Sequence, residues 1–89
     1  MAHPLYTSDE IARRGQELYE QRIRAEVEMD NRGKFLVLDI ETGAYEIDED
    51  ERIALKRIQT KRPGAAFYML RIGYSAAYRL GGQLRVGRP

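Results

Sequence analysis

The sequence predicts an α+β domain with the element order α-β-β-α-β-β-β. Three observations predict it. The chain opens with a long stretch whose apolar residues recur at helical spacing. Short apolar runs rich in β-branched and aromatic residues follow, separated by turn residues. A second capped helical stretch interrupts those runs, and consecutive strands with short turns favour a mixed or antiparallel sheet carrying helices.

The first helix is expected over residues 8–31. Thr7 is its N-cap, and Glu10 three residues later completes a capping box. Asp9 and Glu10 suit the positive end of the helix dipole. Ile11, Gly15, Leu18, Tyr19, Ile23 and Val27 fall on one side. A mid-helix glycine costs about 1 kcal/mol against alanine, so Gly15 marks a close approach of another element. Asn31-Arg32-Gly33 is a stop signal.

A β-hairpin is expected next. Lys34-Phe35-Leu36-Val37-Leu38-Asp39-Ile40 is the first strand, Glu41-Thr42-Gly43 the loop, and Ala44-Tyr45-Glu46-Ile47 the return. The second helix is predicted over residues 49–61, with Asp48 as N-cap, Glu51 as its capping-box partner and Ile53, Ala54, Leu55 and Ile58 on its apolar side. Arg62-Pro63-Gly64 ends it. Residues 66–72 read as a third strand. Residues 77–80 and 83–86, joined by Gly81-Gly82, have the form of a final hairpin.

At 89 residues the chain is one domain, 1–89, with residues 1–6 expected as a loose end. Its composition, 43% hydrophobic and 33% charged, is that of a globular protein rather than a disordered one. No apolar run approaches the ~18 residues of a membrane span. The N-terminal residues lack the basic and apolar regions of a signal peptide, so the expected location is cytoplasmic. With no cysteine and a single histidine, His3, neither a disulfide nor a Ser-His-Asp or Cys-His set can be assembled. His3 itself reads as a solvated residue in the N-terminal tail.

Charge is distributed unevenly. All 14 acidic residues lie between Asp9 and Glu51, and from Arg52 onward every charge is basic. Such polarity marks either a nucleic-acid or acidic-partner surface, or basic strands neutralised beside an acidic helix. Four aromatics, Phe67, Tyr68, Tyr74 and Tyr78, interleave with the C-terminal arginines. Stacking beside arginine–phosphate pairing is how many sheets bind single strands. The residues for that role are Arg71, Arg79, Arg85, Tyr74 and Tyr78.

Asp39-Ile40-Glu41-Thr42-Gly43 resembles the first motif of the DEDD-type exonucleases, in which an aspartate and a glutamate on a strand hold divalent metals. That chemistry needs four carboxylates converging from separate elements. No acid follows Glu51, so the distal aspartate of that family has no counterpart, and a hairpin turn accounts for the residues. Asp48-Glu49-Asp50-Glu51 lacks the alternating ligands and central glycine of a calcium loop, and four acids at a helix start follow from capping. No Gly-Lys-Ser/Thr phosphate loop is present. No metal, cofactor or catalytic residue is therefore expected.

Gly33-Lys34-Phe35-Leu36-Val37-Leu38-Asp39-Ile40-Glu41-Thr42-Gly43-Ala44-Tyr45-Glu46-Ile47, together with Arg71-Ile72-Gly73-Tyr74-Ser75-Ala76-Ala77-Tyr78-Arg79-Leu80-Gly81-Gly82 and the N-terminal Ser8-Asp9-Glu10-Ile11-Ala12-Arg13-Arg14-Gly15, resembles a family of small uncharacterised bacterial proteins frequent in cyanobacteria. The family's members resemble the small first partners of two-gene units, such as antitoxins. The resemblance implies a binding role and assigns no residue.

The leading expectation is a non-catalytic protein-interaction module, a homo-oligomer or the small partner of another protein. A nucleic-acid-binding or antitoxin-type regulator is the alternative. Period-two counting supports the former. Leu36, Leu38 and Ile40 share one face of the first strand, Phe35 and Val37 the other. Tyr68, Leu70 and Ile72 share one face of the third strand, Phe67 and Met69 the other. Strands apolar on both faces need cover on both. Two helices on one face leave Phe35, Val37, Phe67 and Met69 as an interface. One helix on each face buries both sides within a monomer.

Overall fold

The computed structural model describes residues 3–74 of the chain. The expected C-terminal hairpin, with Tyr78, Arg79 and Arg85, lies outside them. The described residues form an α+β fold: α1 (Ser8–Leu18), a π-helical turn (Tyr19–Ile23), α2 (Arg24–Asn31), β1 (Phe35–Asp39), β2 (Tyr45–Asp48), α3 (Glu51–Lys61) and β3 (Phe67–Arg71).

The N-terminal helix starts where capping predicts. Thr7 accepts from the Glu10 amide at 3.1 Å, and the Glu10 carboxylate accepts from the Thr7 amide at 2.8 Å. Within it, Gly15, Tyr19, Ile23 and Val27 are all buried. Their spacing is four residues, whereas a regular α-helix turns every 3.6, so a four-residue stripe drifts about 40° per step. The wider π turn, closed by the Arg24 amide on the Tyr19 carbonyl, takes up that drift and keeps the stripe on the sheet. Gly15 sits at the tightest contact. A Cβ there would lie 2.2 Å from Cγ of Tyr68.

The sheet has the order β2-β1-β3, antiparallel throughout. Leu36 faces Ile47 on one side and Leu70 on the other, and Val37 faces Glu46 and Met69. The connection from β2 to β3 crosses over β1, and α3 is that crossover. As the middle strand, β1 is buried from Leu36 to Asp39, covered by helices on both faces.

Three expectations are corrected. The cap of α3 is Asp50, which accepts from the Arg52 amide at 2.9 Å, because Asp48 is still in β2 opposite Phe35. Ile53 is not on the packed side of α3, being 43% exposed, and Ala54 and Ile58 carry the contact. The two helical layers do not share a face. The α1–α2 helix covers Leu36, Leu38, Tyr68, Leu70 and Ile72, while α3 covers Val37. The face expected to be open is therefore partly roofed, and Val37 is fully buried.

Residues 3–6 make specific contacts. His3 is bonded through Nε2 to the Gly64 carbonyl at 2.9 Å, and its Nδ1 accepts from the Leu5 amide at 3.1 Å. The Tyr6 hydroxyl donates to Glu41 at 3.1 Å. His3 is thus held against the α3–β3 turn rather than solvated in a tail.

Candidate functional site

The Asp39–Glu41 pair was the sequence's strongest catalytic resemblance. Asp39 ends β1 with its side chain fully buried. One carboxylate oxygen accepts from the Glu41 amide at 2.8 Å. The other accepts from the Thr42 hydroxyl at 3.0 Å and from Arg62 Nε at 2.8 Å. Burial opposes ionisation, but the amide, the guanidinium and the hydroxyl outweigh it and hold the carboxyl below the usual carboxylate range. Its oxygens are used to close the hairpin and to fasten Arg62, just beyond α3. Glu41 is exposed and its carboxylate accepts from Tyr6. The two carboxylates thus serve different neighbours. Among the described residues no group of three histidines, aspartates or glutamates is placed to hold a metal.

The acid run after β2 is likewise engaged. Asp48 accepts from the Asp50 amide at 2.8 Å and pairs with Arg57 at 3.3 Å. Lys61 pairs with Glu46. Arg57 also donates to the Ile47 carbonyl at 3.4 Å. These contacts strap α3 to β2, and they give that flank of the sheet a charged margin.

The β3 flank is built differently. α3 packs on β1 and β2, and β3 lies at its margin. Phe67 and Met69 touch the small core of Val37, Ala54 and Ile58, yet each remains half-buried, as does Phe35. Phe67 also lines an open groove with Pro4, Ile11, Pro63 and Ala65. Three of the four expected interface residues therefore lie on a partly uncovered apolar strip, and the fourth, Val37, lies beneath α3.

At the Phe35 end of that strip sits a basic and aromatic cluster. The Gly33 amide donates to the Ile72 carbonyl and the Ile72 amide to the Lys34 carbonyl, both at 2.8 Å, which clamps the α2–β1 turn to the end of β3. Arg71 Nε donates to the Gly33 carbonyl at 3.0 Å. Its guanidinium carbon lies 4.4 Å from the Tyr74 ring centre and 5.3 Å from that of Phe35. Of the five residues expected for nucleic-acid contact, Arg71 and Tyr74 are thus brought together, and the other three lie outside the described residues.

Sequence reasoning missed two arginines. Arg62 was read only as part of a helix stop, but it is the counter-charge of Asp39. Arg32 was read only as part of a stop signal, but it lies across Gly73. No local pattern joins residues so far apart in sequence, although an unusually apolar strand ending in aspartate is a sign that a cation must reach it.

No helix among the described residues is long and apolar enough to cross a membrane. Comparison with known proteins found no matching family model, no matching curated protein and no matching solved structure.

Proposed function

We propose that this chain is a non-catalytic interaction module, acting in the cytoplasm, that associates with a second copy of itself through the β3 flank. The observation that carries this reading is the half-buried strip of Phe35, Phe67 and Met69, which α3 reaches but does not cover. Contiguous apolar surface of this kind marks interaction sites, whereas single exposed residues such as Ile53 do not. The opposite flank argues the same way by contrast. Glu46 and Asp48 on β2 are paired with Lys61 and Arg57 of α3, the charged margin that discourages association. Association also suits a small domain, which buries a modest fraction of its surface. The non-catalytic part rests on Asp39, whose oxygens are committed to Glu41, Thr42 and Arg62.

Sedimentation equilibrium at micromolar concentration tests the reading. The expected result is a mass above that of one chain, reduced to one chain by Met69→Lys or Phe67→Asp and unchanged by Ile53→Asp. Circular dichroism on the same samples separates dissociation from unfolding. A strictly monomeric wild-type mass overturns self-association. Dimers that survive Met69→Lys and Phe67→Asp place the contact elsewhere.

A further inference from the structure

The arginines of the described residues divide into two groups. Arg24, Arg52, Arg57 and Arg62 each stand beside a carboxylate. Arg13, Arg14, Arg22, Arg32 and Arg71 form no ion pair among the described residues. Of these, Arg32 and Arg71 converge on one turn. Arg71 reaches it from β3, stacked on Tyr74 and fixed by its Nε bond to the Gly33 carbonyl. Arg32 reaches it from the end of α2. Its Cγ and Nη1 lie 3.3 and 3.5 Å from the position a side chain on Gly73 would take. Gly73 has φ +88°, a backbone conformation that favours glycine, and Arg32 packs against it.

Such a turn has the parts of a nucleotide site. Arg71 spends Nε on the backbone, which fixes the plane of its guanidinium and leaves the terminal nitrogens to other acceptors. A planar guanidinium offers a phosphate two parallel donors. Tyr74 is 52% exposed, so its ring is accessible beside those donors. An exposed aromatic next to phosphate-pairing groups suits an unstacked base, since every base has a face to stack. Lys34, whose Nζ reaches Asn31 at 3.4 Å, adds a third positive charge to the same turn. Beyond Tyr74 the sequence carries Arg79, Arg85 and Arg88 and no acid.

We propose that Arg32, Arg71 and Tyr74 form a binding site for single-stranded nucleic acid, the arginines pairing with phosphates and Tyr74 stacking on a base. The site adjoins the Phe35 end of the apolar strip, and Arg32 and Tyr74 are not part of that strip, so the proposal does not rest on self-association.

The test is fluorescence anisotropy of the full chain with a short end-labelled single-stranded RNA of mixed sequence, titrated from about 50 to about 200 mM salt. Binding should weaken steeply with salt, because paired phosphates release counterions. Arg32→Gln makes the cleanest probe, as its side chain holds no backbone group in place among the described residues. It should weaken all sequences alike and flatten the log–log salt slope by about 0.7. Tyr74→Ala should weaken binding about tenfold and Tyr74→Phe should retain it, since the ring alone stacks. Absence of binding at the lowest salt overturns the proposal. So does binding that Arg32→Gln and Tyr74→Ala leave intact, which assigns the contact to other arginines. A polyglutamate peptide that binds as tightly as RNA, and is indifferent to Tyr74→Ala, also overturns it in favour of an acidic protein partner.

Discussion

On one face of the sheet the long N-terminal helix presses Tyr19, Ile23 and Val27 onto Leu36, Leu38 and Leu70. On the other, α3 contributes only Ala54 and Ile58 as buried residues, against Val37. The first layer is held mainly by apolar area, with the Tyr45 hydroxyl of β2 donating to Glu26 of α2 at 3.2 Å. The second has little of it and adds three charged fastenings: Arg57 to Asp48, Lys61 to Glu46 and Arg62 to Asp39. Exposed ion pairs contribute little individually, whereas a buried carboxylate needs its partner. The difference teaches that a short crossover helix, too small to bury a strand by itself, is held in place by charge. It also explains why the margin it leaves, along β3, is the apolar one.

The comparison breaks most visibly at Gly15. Alanine at an ordinary mid-helix position gains about 1 kcal/mol over glycine. At Gly15 a Cβ collides with Cβ, Cγ and Cδ2 of Tyr68, the part of the ring nearest its backbone. Gly15→Ala should therefore destabilise the protein by about 1–3 kcal/mol, the cost of overpacking, read from urea denaturation. A stabilised variant shows that the helix can lift off the sheet, and that the apolar layer is looser than described.

Asp39→Asn sharpens the contrast from the charged side. It keeps the shape but removes the charge that Arg62 and the Glu41 amide stabilise, at an expected cost of about 1–3 kcal/mol at neutral pH. The pH dependence follows from the direction of the shift. Asp39 titrates lower in the folded protein than in the unfolded chain. Its contribution is complete above the usual carboxylate range and is lost as pH falls through the depressed folded value. Melting temperatures of wild type and Asp39→Asn should differ at about pH 6 and converge as pH falls well below the usual carboxylate range. Parallel curves at all pH values contradict this account of the carboxylate.

The smallest effect is expected at the β2 margin. Lys61 is largely exposed, so Lys61→Ala should cost less than about 1 kcal/mol, and less still at high salt. A larger loss, seen by thermal melting in low salt, makes the strap to Glu46 a principal support of α3 rather than a trim.

The local elements were legible in the sequence because their causes are local. Thr7 and Glu10 fix a helix start through bonds within one turn. Alternation assigned Leu36 and Leu38 to one face and Val37 to the other, since a strand's side chains alternate by geometry. Gly15 announced a close contact, though not that Tyr68 makes it. What the sequence left open was which face each helix covers, and only the tertiary structure decided it. Both arrangements bury the same residue types at the same spacing. The choice falls to the crossover from β2 to β3, which carries α3 over β1 on the face the N-terminal helix leaves free. The partners of Asp39 and of Gly73 were hidden for the same reason. Arg62 and Arg32 reach them through pairing between strands distant in sequence, and no local pattern records that meeting. The π turn belongs between the two. The four-residue spacing of Gly15, Tyr19, Ile23 and Val27 is written in the chain. Contact with the sheet is what makes the helix widen to keep them in line.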